Sequence, residues 1–95
     1  MKIYDYAGRR NVCGPLIRKE RKKRHLSQTD LAARMQVLGV TLERDSVSRI
    51  ELGTRFVADY ELMVIADILS VPVHALLPDT RRGDQIDTRS TGQGL

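Results

Sequence analysis

One cysteine, no tryptophan and three prolines stand in the 95 residues. Cys13 has no second cysteine to pair with, so an intramolecular disulfide is excluded and the fold has to rest on packing. Aromatic residues are only 4% of the chain, so Leu, Ile, Val and Ala must fill the interior, which suits packed helices. No apolar run approaches the ~18 residues of a membrane span. Met1 to Asn11 is polar and charged, without the apolar stretch of a secretory leader. No run alternates as a half-buried strand does, and nothing repeats. A cytoplasmic protein of one small domain is the expectation, and 41% hydrophobic residues suffice for its core.

Charge is present in quantity and unevenly placed. Residues 1–24 carry nine Lys/Arg against Asp5 and Glu20, a net of +7. Residues 25–78 carry four Arg against seven acids, a net of −3, and residues 79–95 balance. A basic amino-terminal part on a mildly acidic body suits a polyanion on one side, or simply a solvated basic helix face.

Four helical patterns and a short fifth follow one another. Gly14-Pro15 opens helix 1, which runs from Pro15 to about Arg24, because Pro loses no hydrogen bond in a first helical turn. Helix 2 is Gln28 to about Leu38. Ser27 and Asp30 form an S-x-x-D capping box, Leu31, Met35 and Leu38 form its apolar stripe, and Gly39 stops it. Helix 3 is Arg44 to Leu52, with Val47 and Ile50 on one face and Gly53 as its stop; Thr41 or Glu43 begins it. Helix 4 contains Leu62, Ile65, Ala66 and Leu69 at helical spacing, acids in its first turn, and an end at Val71-Pro72. Residues 73–77 read as a fifth helix. Residues 1–13 read as an amino-terminal arm, and residues 79–95, polar and without period, as a disordered tail.

Catalytic and metal chemistry find little support. Cys13 has no His or acid beside it in sequence, and an inert thiol is the expectation. His25 and His74 stand apart and make no metal-ligand spacing. No phosphate-cradling glycine loop, zinc-protease helix or nucleophile elbow occurs. The protein is expected to be no enzyme and to use no cofactor.

The pieces GPLIRKER, LSQTDLA, VSRIELGTR, DYELMVIADIL and VPVHALL, in that order over residues 14–78, resemble the Cro-type helix-turn-helix family (the Xre family, with lambda-repressor-like folds). The resemblance implies an all-α, five-helix DNA-binding domain with flexible termini. In such folds helix 2 lies across the DNA backbone and helix 3 enters the major groove. Ala32 takes the small position where helices 2 and 3 meet, and His25 the place where the family often has glycine. Base-reading residues would be Arg44, Asp45, Ser48 and Arg49. Phosphate-binding residues would be Gln28, Ser46, Thr54 and Arg55. Arg21 and Glu51 would form an ion pair that seats helix 3 on helix 1. One departure is the helix 2–3 connection, QVLGVTLER, which is several residues longer than the shortest family pattern. It reads as an extra turn on helix 2 with Val40 and Leu42 packed beneath.

A regulator of transcription, expected to act as a repressor in a bacterium or phage, is the function this implies; an antitoxin or restriction–modification controller is the alternative. Double-stranded DNA is the expected partner. A second copy of the chain, or a toxin or other protein, stays open. Residues 58–78, with no Lys or Arg, would be the surface for such a partner or for a dimer.

Overall fold

The computed structural model describes residues 6–79; residues 1–5 and 80–95, which hold most of the expected tail, lie outside the described residues. Four α-helices follow one another: α1 Gly14–Lys23, α2 Gln28–Val37, α3 Arg44–Leu52 and α4 Asp59–Leu69. The expected fifth helix is a single 3-10 turn, Val73–Leu76, so the architecture is four helices and a turn. Pro72 sets that turn up, its carbonyl accepting from the Ala75 N–H at 2.9 Å.

All four helices end by the same device. In each, the residue after the last turn takes a left-handed backbone, and two N–H groups fold back onto carbonyls that the helix leaves open. The residues are His25 (φ 56°), Gly39 (φ 88°), Gly53 (φ 83°) and Ser70 (φ 58°). The bond that closes the wider loop runs from Leu26 to Arg21, Val40 to Met35, Thr54 to Arg49 and Val71 to Ala66, at 2.9–3.2 Å. His25 thus adopts the left-handed backbone that glycine takes at least cost. Ser70, rather than the Val71-Pro72 step, stops α4.

The beginnings differ. Ser27 Oγ accepts from the Asp30 N–H at 2.9 Å, and the Asp30 carboxylate accepts from the Ser27 N–H at 2.8 Å, so the capping box of α2 is complete. Glu43 holds the first position before α3 with no side-chain bond to the helix. At α4 the Glu61 carboxylate reaches back to the Ala58 N–H at 2.9 Å.

Ile17 of α1, Leu31 and Met35 of α2, Val47 and Ile50 of α3, Ile65 and Leu69 of α4 and Leu76 of the turn are at most 1% exposed and form the core. The long α2–α3 connection folds onto this core through Leu42, with Val40 half-buried beside it. Its extra turn lies beyond the helix rather than in it. α2 ends at Val37, and Leu38, expected in the apolar stripe, is 50% exposed.

Residues 6–13 do not hang free of the domain. Tyr6 and Arg9 exchange two backbone hydrogen bonds around Ala7-Gly8, and the Arg10 N–H donates to the Gly53 carbonyl at 2.8 Å. The segment is therefore attached to the far end of α3.

Candidate nucleic-acid interface

The buried face of α3 is Val47, Ile50 and Glu51; three- and four-residue spacing leaves Arg44, Asp45, Ser48 and Arg49 on the outer side. Arg44, Asp45 and Arg49 are exposed, and Ser48 is half-buried. Arg49 meets Asp45 one turn back at 3.2 Å, a pair open to water and hence worth only a few tenths of a kcal/mol. Both side chains can leave each other at little cost.

The seat of this helix is a charged contact under the outer face. Arg21 Nε and Nη2 donate to the two Glu51 oxygens at 2.7 and 2.9 Å, with both residues buried. A guanidinium matches a carboxylate in this two-bond geometry, so the pair fixes direction as well as distance. Arg21 also donates to the Leu26 carbonyl at 2.7 Å, so each of its three nitrogens makes a hydrogen bond. Its bond to Glu51 raises the Arg21 pKa, against the opposing effect of burial. The expected structural pair is thus present.

Gln28 extends this contact outward. Its amide donates to Glu51 at 3.1 Å and accepts from Arg44 at 3.2 Å. A line of polar contacts therefore runs from α1 through Glu51 and the start of α2 to the first arginine of α3. Gln28, expected to meet phosphate, is engaged at both ends in the free protein. Ser46 is half-buried in the first turn of α3, and Thr54 is exposed with its hydroxyl 3.3 Å from the Arg49 carbonyl.

Arg55 differs from its expected placement. It donates to both oxygens of Glu61 at 3.0 and 3.2 Å and to the Phe56 carbonyl at 2.8 Å. Burial opposes the charge on Glu61, but Arg55 and the Ala58 N–H outweigh it and hold the carboxyl below its usual range. Arg55 thus fastens the α3–α4 loop to α4, with its charge already balanced.

The basic amino-terminal part was expected to face a polyanion, but three residues in the segment before α1 were not singled out. The Asn11 amide donates to the Ile50 carbonyl at 3.0 Å and the Arg55 carbonyl at 2.8 Å, while its oxygen accepts from the Gly14 N–H at 2.8 Å. One side chain ties the start of α1 to the end of α3 and the following loop. The Arg9 guanidinium lies against Gly53, where the carbonyl end of α3 favours positive charge. Arg10 reaches over the Phe56 ring, 5.7 Å from its centre. The available signal was Asn three residues before a Gly-Pro helix start, an Asx-type turn.

Cys13 is buried at the start of α1, and burial pushes its thiol pKa up, away from the thiolate a nucleophile needs. Among the described residues, no three of His, Cys, Asp or Glu gather as a metal site would require, and no helix is long and apolar enough to cross a membrane.

No protein-family model matches the chain, and no curated protein matches it. Among solved structures, the crystal structure of the DNA-binding domain of BldD superposes with a TM-score of 0.60 at 30% sequence identity. The alignment covers 70% of this chain and 90% of that one. At this identity and coverage, with α2 and α3 packed as described, the chain belongs to the same helix-turn-helix family as the DNA-binding domain of BldD.

Proposed function

We propose that this domain is a sequence-specific regulator of transcription of the Cro/Xre type, most simply a repressor, that lays α3 in the major groove of double-stranded DNA. The observation that carries the reading is the construction of α3. A buried, two-bond ion pair fixes a short helix whose outer face presents Arg44, Asp45, Ser48 and Arg49. A solvated surface helix has no need of so exacting a seat. The protein acts by binding, not by catalysis, in the cytoplasm.

Binding is expected to fall steeply with salt, because each phosphate neutralised by Lys or Arg contributes a log–log slope of about −0.9. Fluorescence anisotropy of a labelled duplex between low and moderate salt checks this. A flat response would remove the electrostatic basis of the reading.

Arg49→Ala is expected to relax discrimination at one or two base pairs while leaving the melting temperature near that of the parent. An arginine held by an exposed partner can exchange it for guanine O6 and N7, worth about 1–3 kcal/mol against the wrong base. Competition binding with single-base variants of a bound duplex measures the change. Equal losses on every sequence would assign Arg49 to a phosphate instead.

A protein partner is the second reading, and the outer face of α4 favours it. Tyr60 is 57% and Met63 59% exposed on a helix whose opposite face is already buried in the core. An antitoxin or restriction–modification controller, or a homodimeric regulator, would cover such a face; the absence of Lys and Arg from residues 58–78 makes protein a better occupant than DNA.

A further inference from the structure

We propose that Arg10, carried on the Phe56 ring, binds a DNA backbone phosphate beside the carboxyl end of α3; the inference rests on the reading that α3 enters the major groove. The sequence assigned this task to Arg55, and the geometry points to Arg10 instead. Arg55 spends its guanidinium on both oxygens of Glu61, so it presents little net charge to a ligand. Arg10 is exposed and, among the described residues, makes no ion pair with any carboxylate.

Its position is fixed from two sides. The Arg10 N–H donates to the Gly53 carbonyl at 2.8 Å, directly after α3. The next residue, Asn11, clasps the Ile50 and Arg55 carbonyls at 3.0 and 2.8 Å, so the backbone of this segment moves with the end of α3. From there the side chain extends across the α3–α4 loop and rests on Phe56, 5.7 Å from the ring centre. An aromatic face attracts the cation without neutralising it and narrows its rotamers, so the guanidinium is charged, bound to no carboxylate among the described residues, and already placed.

Helix length brings a phosphate to it. Nine residues of α-helix span about 13 Å at ~1.5 Å each. The major groove is about 12 Å wide. Groups beside the two ends of a helix seated there lie close to the two sugar–phosphate walls. At the amino end these are Ser46 and the Gln28–Arg44 contact. At the carboxyl end they are Thr54 and, with Arg55 engaged, Arg10. The charge met there carries no sequence information, so Arg10 sets affinity and register rather than preference.

The test measures binding of the full chain to a labelled duplex pool of random sequence across a salt series. Arg10→Ala, Arg10→Lys and Phe56→Leu are compared with the parent, each checked by thermal melting. Arg10→Ala keeps the backbone bond to Gly53 and the Asn11 clasp, so its melt should stay close to that of the parent. Its log–log slope should be shallower by about 0.9, and its loss of affinity should grow about eightfold for each tenfold dilution of salt. Arg10→Lys should retain the slope. Phe56→Leu should retain the slope and weaken binding at every salt concentration, since the charge remains but is no longer held. An Arg10→Ala protein with the slope and affinity of the parent would overturn the assignment while leaving α3 as the reading helix. A Phe56→Leu protein that binds as tightly as the parent would overturn the role of the ring. Failure of the parent itself to bind any duplex would instead remove the DNA reading, and this inference with it.

Discussion

Glu51→Ala is expected to lower the stability of the domain by about 3–5 kcal/mol, because it leaves the Arg21 guanidinium buried with its main partner gone. For a domain of this size that is a fall in melting temperature on the order of 15 °C or more. The loss has a second part. Glu51 also receives the Gln28 amide at 3.1 Å, and Gln28 in turn holds Arg44, so the polar line to the reading face is cut at its root. Arg21→Ala should be comparably damaging, since it strands the carboxylate. The double variant should lose less than the two single losses added, because neither charge is then left unpaired. Thermal melts of the three proteins measure the coupling. Small and additive shifts, of the ~0–1 kcal/mol that a surface pair is worth, would show that the contact does not seat α3.

Gly14→Ala is expected to be nearly as costly, although it adds a single methyl group. Gly14 is buried where the start of α1 crosses the end of α3, and a Cβ there would run into the carbonyl oxygens of Ile50 and Glu51. Those are backbone atoms, which cannot swing aside as a long side chain can. Either α1 lifts from α3 or α3 tilts, and both open the contact between the Arg21 and Glu51 helices. Overpacking of this kind costs about 1–3 kcal/mol and occasionally more, and the upper end applies when neither neighbour can yield. Gly39→Ala makes the useful comparison. Nothing lies within 4 Å of a Cβ at Gly39, so its cost is only that of a left-handed alanine, about 1–2 kcal/mol. A Gly14→Ala protein that melts no lower than Gly39→Ala would show that the two helices can separate without harm.

The helices themselves were legible from local chemistry. The inner face of α3 followed from Val47 and Ile50 at their spacing and its end from Gly53, a residue suited to the left-handed stop it makes; its start stayed open between Thr41 and Glu43, because Glu43 makes no side-chain bond to the helix that a capping pattern would signal. The Ser27–Asp30 cap likewise involves residues three apart and can be read along the chain. The Arg21–Glu51 pair spans 30 residues and was expected only through the family resemblance. Leu38 was misplaced because the helical stripe continues in the sequence for one residue more than α2 does in space. Asn11 stayed out of view because its partners are 39 and 44 residues away and are backbone carbonyls, which leave no side-chain signature. Arg55 was assigned to phosphate from its motif position; that Glu61 would take it depends on how the loop returns into α4, which no local pattern encodes.

Selection of bound duplexes from a random pool, carried out with the parent protein and with Arg49→Ala, tests the central claim most directly. If α3 reads the major groove, the parent enriches a defined motif, and Arg49→Ala enriches the same motif with one or two positions relaxed. Enrichment of no motif by the parent, or of an unchanged motif by Arg49→Ala, would contradict the assignment of Arg49 and the outer face of α3 to base reading.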